Sequence, residues 1–233
     1  MSDTTRPELK SIDVVNFSFP PGPIDPDPIT WISAALEAPV DARIIPLNCL
    51  IKEGTEAWQR LGRKARMKFV KVKMTPCGED FDGVEVVWKN QILRFLLVLD
   101  RQPNGVVPEY IDIFRGVTAT GEQTWNHPWT LMLNQQQKDR FEFLWDRTIC
   151  ITKGNNTVVG LPLTGSRDLW HINETIKLDF ETLYGGNSGG IGDLLTNALY
   201  LVAVGNDIEP LSTELFGILM QTMVRLFFED VDC

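Results

Sequence analysis

Residues 92–114 read ILRFLLVLDRQPNGVVPEYIDIF, and this stretch decides the fold class. From Ile92 to Leu99 every position but Arg94 is apolar. The run is too short for an ordinary buried helix, and a strand covered on both faces accounts for it. Asp100 to Gly105 then supplies turn-forming residues. Pro108–Phe114 is the best short helical candidate in the chain. Outward from here the pattern repeats. Ala198–Val204 is a second run that is apolar throughout. Phe141, Phe143, Trp145, Ile149 and Ile151 alternate with Glu142, Asp146 and Thr148, and Ile172, Ile176, Leu178 and Phe180 alternate with Asn173, Thr175, Lys177 and Asp179. Period two predicts strands with one buried and one wetter face. Ile218–Phe228 is a further long apolar run, closed by Glu229, Asp230 and Asp232. Gly-, Pro- and Asn-rich connectors fall at Gln102–Pro108, Lys153–Leu163 and Gly185–Gly192. Many strands, long loops and scarce helical periodicity define an all-β chain, a two-sheet sandwich or barrel, for which a jelly roll is one standard solution.

The chain has 233 residues, 43% of them hydrophobic, which fits one domain with a sizeable core and excludes a disordered chain. A net charge of −9 argues against a protein that coats nucleic acid over its whole surface. Cys49, Cys77, Cys150 and Cys233 are widely separated; reduced thiols are expected, with no metal site. The opening MSDTTRPELK lacks a signal-peptide pattern, and no apolar run is long enough to span a bilayer. The expectation is a soluble intracellular product that binds no membrane, with the acceptor patterns at Asn16, Asn155 and Asn173 unused. No cofactor motif is present.

Residues 1–57 read as an extended, acidic, proline-rich N-terminal arm, and 58–233 as the β domain. Closely spaced prolines in FPPGPIDPDPIT (Phe19–Thr30) prevent both helix and ladder. Thr30 could cap a short helix over Trp31–Glu37, and Ile44–Ile51 reads as an apolar strand or extended segment.

The densest chemistry is RLGRKARMKFVKVKM. Arg60, Arg63, Lys64, Arg66, Lys68, Lys71 and Lys73 crowd it, and no acidic residue interrupts 59–77. From Met67 on, Val70, Val72 and Met74 share one parity while Met67 and Phe69 hold the other, so a bulge is predicted near Phe69. Two readings compete: a cationic strip for phosphates, or a solvated strand face whose lysines pair with nearby acids. Gly186-Asn187-Ser188-Gly189-Gly190 matches the signature around a chymotrypsin-like serine nucleophile. Such an enzyme needs a histidine, and His127 and His171 are the only two. A glycine-rich inter-strand loop is the simpler account. Glu79, Asp80 and Asp82, and Asp207 and Glu209, lack calcium-loop spacing. Trp125 and Trp129 beside His127 would suit a sugar-binding module.

The order of motifs resembles the capsid proteins of circular Rep-encoding single-stranded DNA viruses, the circovirus-like group. Gly54, Thr55, Gln59, Arg60, Gly62 and Lys68 match a G-T-x-x-x-Q-R-x-G-x-x-x-x-x-K pattern leading into the first jelly-roll strand. Asp100, Gln102, Pro103, Asn104, Gly105 and Pro108 match the next element; Arg140, Phe141, Leu144, Asp146 and Arg147 another. HINETIKLDFETLYGG is similar to the strand and loop that follow, Asn197, Leu199, Tyr200 and Leu201 to the next, and Arg225 and Phe227 to the last. The likeness runs in order from about residue 50 to 230. It implies a single eight-stranded antiparallel jelly roll and no catalysis. It further implies a self-assembled icosahedral T=1 virion of about sixty copies, with single-stranded DNA held on the inner surface and a host receptor outside. Assembly would take place inside the host cell, in the nucleus for nuclear members. Relatives carry an arginine-rich N-terminal arm. Here Arg6, Lys10 and Arg43 face seven acids up to residue 50, so the arm is expected to pack along a neighbouring subunit instead of entering the genome.

Overall fold

The computed structural model describes residues 8–18, 44–79, 91–115, 132–151, 170–205 and 217–231. The proline cluster 19–30, the helix expected over Trp31–Glu37, the connector Lys153–Leu163, Asn155, Cys233, Asp80, Asp82, Asp207, Glu209, Trp125, His127 and Trp129 lie outside these residues.

Ten strands are described: β1 (Leu9–Ser18), β2 (Ile44–Pro46), β3 (Lys64–Glu79), β4 (Gln91–Asp100), β5 (Phe114–Arg115), β6 (Met132–Leu133), β7 (Phe141–Ile151), β8 (Ile172–Leu183), β9 (Ala198–Gly205) and β10 (Gly217–Asp230). The helix expected over Pro108–Phe114 is a single turn, α1 (Tyr110–Ile113). The chain is all-β. It forms two four-stranded antiparallel sheets, β1-β10-β3-β8 and β2-β9-β4-β7, with β5 and β6 paired separately. Both sheets contribute to one buried apolar cluster, as in a β-sandwich.

The predicted bulge is present. The register of β3 slips between Met67 and Phe69 against both β10 and β8. Against β10 Lys68 is the extra residue, against β8 it lies opposite the unpaired Leu178 and Asp179, and the bulge reverses the parity of β3. Ala65 and Met67 before it, and Val70, Val72 and Met74 after it, therefore all face the core. β4 and β9 are covered on both faces, as their composition requires: Phe95 to Val98 and Ala198 to Ala203 are 0% exposed.

Two expectations need correction and one is made more exact. The alternation read over Phe141–Ile151 is broken by a second bulge, where Val98 and Leu97 pair with Phe143 and Trp145. Leu144 is the extra residue, so Phe143 and Trp145 point to opposite faces. Phe143 meets Phe114 at a ring separation of 5.7 Å, whereas the Trp145 indole reaches the other sheet and donates to Glu174 at 2.6 Å. Ile44–Ile51, expected as an apolar strand or an extended segment packed on the domain, is a strand as far as Pro46 and then turns, with Leu47, Cys49 and Ile51 buried in the core. Residues 1–57 are also no separate arm throughout. β1 pairs with β10 from Leu9 to Ser18 and β2 pairs with β9, so this segment supplies an edge strand to each sheet. The prolines fall after β1, whose ladder with β10 runs from Leu9 to Ser18 with a register shift at Val14.

Candidate nucleic-acid interface

The seven cations of the strip do not stay together. Arg60 precedes β3 and turns inward, 1% exposed. Its guanidinium donates to the Ile51 carbonyl at 3.3 Å, to Glu53 Oε2 at 3.3 Å and to the Gly186 carbonyl at 2.5 Å, with a further bond to the Gly62 carbonyl. It also lies 4.3 Å from the centroid of the Tyr184 ring. Burial of a guanidinium is tolerable only when its N–H groups find acceptors, and these do. Arg60 is therefore a clamp between two loops and contributes nothing to an exposed strip.

The other six reach solvent. Arg63 and Lys64 are exposed at the start of β3. Beyond them, the outer face of the first sheet is laid out in rows by strand register. Glu229 of β10, Arg66 of β3 and Glu181 of β8 lie side by side, with Leu9 of β1 beyond Glu229. The next row holds Ser11, Phe227, Phe69 and Lys177; the next Asp13, Arg225, Lys71 and Thr175. Met223, Lys73 and Asn173 follow.

Charge divides this face. In its first half Arg66 pairs with Asp179 at 2.7 Å and Lys68 with Glu229 at 3.3 Å, and Glu181 adds another acid. In its second half Lys71, Lys73, Lys177 and Arg225 meet one carboxylate, Asp13, which Arg225 binds at 2.5 and 2.8 Å. That hydrogen bond, above all, holds the Asp13 pKa below its ordinary value and the Arg225 pKa above its own. Lys71, Lys73 and Lys177 have no ion-pair partner among the described residues. The pairing expected of a solvated strand face is found in the first half, with Arg66 and Lys68, and is missing among the described residues at Lys71 and Lys73 in the second. Lys177 and Arg225 escaped the sequence reading of the strip, because nothing local says that β8 and β10 flank β3.

The family-like motifs build structure. A Cβ on Gly54 would lie 2.0 Å from Gln59 Oε1, and that oxygen accepts from Glu56 N–H at 3.0 Å. Asn48, fully buried, donates to Thr182 Oγ1 at 2.9 Å and to the Asn197 carbonyl at 2.8 Å, and accepts from Leu199 N–H at 2.9 Å. The Tyr184 hydroxyl donates to the Asn48 carbonyl at 2.9 Å. Asp100 binds Arg140 through both oxygens at 2.9 Å and caps the following turn through Gln102 N–H at 3.0 Å. Asp146 holds Arg94 on the outer side of the second sheet. Asn197 adopts φ 54°, the left-handed region that asparagine tolerates, and donates to the Glu181 carbonyl at 2.6 Å.

The serine of the protease-like motif has an aspartate as its partner. Ser188 Oγ donates to Asp193 Oδ2 at 2.9 Å, and Gly189 N–H does so at 2.8 Å. Burial pushes the Asp193 pKa up, but bonds from Ser188 and from the loop N–H groups outweigh it and leave the carboxyl below its usual range. A side chain on Gly189 (φ 80°) would strain the backbone and meet Lys52 Cε at 2.5 Å. His171 contacts Thr75 at 3.2 Å and sits before β8, whereas Ser188 follows it. The length of that strand, roughly 40 Å at about 3.3 Å per residue, separates them. Among the described residues no group of His, Cys, Asp and Glu is placed to hold a metal ion, and no helix is long and apolar enough to cross a membrane.

No family model matches the chain, and no curated protein matches it.

Proposed function

We propose that the chain is the capsid subunit of a small virus with a circular single-stranded DNA genome. In this reading it is a non-catalytic, eight-stranded jelly roll that closes into a T=1 shell of about sixty copies. The observation that carries the reading is the wiring. With the two-residue β5 and β6 set aside, the strands numbered one to eight stand in the orders 1-8-3-6 and 2-7-4-5. First and last strands are neighbours, and the chain changes sheet at every step but the middle one. That order supports the reading, since two interleaved Greek keys in a jelly roll would give it. Jelly rolls also serve lectins and other binding modules, and the ordered series of capsid-like motifs favours the shell.

In this proposal Arg63, Lys64, Arg66, Lys68, Lys71 and Lys73 face the genome, and the protein resides in the virion after assembly inside the host cell. Negative-stain electron microscopy of the purified protein beside size-exclusion chromatography tests it. Uniform closed particles are expected. A monomer that persists across salt and pH would overturn the shell and return attention to a sugar-binding module.

A further inference from the structure

The geometry points to the outer face of the first sheet as a stacking platform for single-stranded nucleic acid, centred on Phe69 and Phe227 and selective against duplex. This rests on the proposal that the protein encloses a single-stranded genome, and names how the strand is held. Phe69 and Phe227 stand opposite each other on β3 and β10, on the solvent side of the sheet. Their rings stack at 4.2 Å with planes 23° apart, and both are only half-buried. The core beneath is already filled by Met67, Val70, Leu226 and Phe228, each 0% exposed. The two rings therefore add little to the core and present π surface to solvent.

Their neighbours select the ligand. Lys177 flanks Phe69 in the same row, and Arg225 and Lys71 follow in the next, with Lys73 beyond. Cα atoms two residues apart on a strand are about 7 Å apart, so Lys71 and Lys73 form a short cationic track leading away from the rings. On the other side Glu229 and Glu181 bracket Arg66 and repel phosphate. An aromatic surface with cations on one side and acids on the other fits unpaired bases joined by a phosphate backbone. Duplex DNA keeps its bases stacked on each other, so it can use the lysines but not the rings.

Fluorescence anisotropy with labelled oligothymidylate, the same sequence as duplex, and heparin tests this, with each probe added to the full chain before assembly. Tighter binding of the single strand than of the duplex is expected. The triple variant Lys71→Gln, Lys73→Gln, Lys177→Gln should weaken binding of all three probes by tenfold or more. It should also flatten the slope of log affinity against log salt by about 2. The double variant Phe69→Leu, Phe227→Leu keeps the apolar mass and should lose roughly tenfold for the single strand alone, with the salt slope and heparin binding unchanged. Equal binding of single strand and duplex, or a leucine variant that binds as wild type, would overturn the platform. Indifference to the glutamine changes would do the same. Particle formation is read separately by electron microscopy. Shells whose oligothymidylate binding ignores these changes sink this inference alone. Selective binding by a persistent monomer sinks the shell alone.

Discussion

One basic strip ends in two different environments. At its start, Arg60 is sealed between loops, with every bond directed to its own chain. At its far end, Lys71 and Lys73 stand on an open strand face with no partner among the described residues. Thirteen positions apart in a run without acids, these cations are indistinguishable by composition. What separates them is the chain around them. Arg60 lies in a turn beside free carbonyls and the Tyr184 ring; the lysines alternate with core residues on a strand and must point outward. The lesson is that a run of like charges describes a stretch of sequence, and the backbone decides which members share a surface.

The comparison can be broken at either end. The largest effect is expected from Arg60→Met, which removes four hydrogen bonds and the stack on Tyr184. It should cost about 3 kcal/mol of stability in urea denaturation. A loss under about 0.5 kcal/mol would mean that Arg60 is no clamp. Asn48→Ala comes next, at about 2–3 kcal/mol, since Leu199 N–H would be left buried without its acceptor.

Asp193→Asn sharpens the picture through pH. The folded pKa of Asp193 is depressed, so its contribution is present above the unfolded value near 3.8 and disappears as pH falls through the folded value. The variant should be less stable than wild type by about 1 kcal/mol at neutral pH, with the gap closing below about pH 4. A gap that stays constant in acid would show that the carboxylate is not what the loop holds. At the open end Lys73→Gln should change stability by less than about 0.5 kcal/mol. Smallest of all, Cys49→Ser should leave the rate of thiol labelling in the folded protein unchanged, because burial pushes the Cys49 thiol up to about 12 and shields it from reagent.

Much of the fold was legible in the residues. The doubly covered strands followed from almost unbroken apolar runs, and the bulge at Lys68 from apolar residues that cannot share one parity. Of these it brings only Met67, Val70, Val72 and Met74 to the core and leaves Phe69 outside. The second bulge was not legible. Phe141, Phe143 and Trp145 fit a perfect alternation, and only pairing with Val98 and Leu97 separates them. β1 was hidden for a different reason. Its neighbour β10 lies more than two hundred residues away, and acidic, proline-rich surroundings drew attention from the strand between them. The candidate interface was half legible: Lys71 and Lys73 came from the strip, but Lys177, Arg225 and the Phe69–Phe227 pair meet only through sheet order.

That sheet order also governs when the molecule can form. β10 lies between β1 and β3 in the first sheet, so the outer face and much of the core cannot close until β10 has left the ribosome. Until then β1 and β3 wait with unpaired edges and apolar residues uncovered, and the loops to be closed are among the longest the chain offers. Such a chain should fold slowly and only after β10 has emerged, and should depend on chaperones or low temperature for its yield. A nascent chain stalled before Gly217 would be expected to remain protease-sensitive in β1 (Leu9–Ser18) and β3 (Lys64–Glu79).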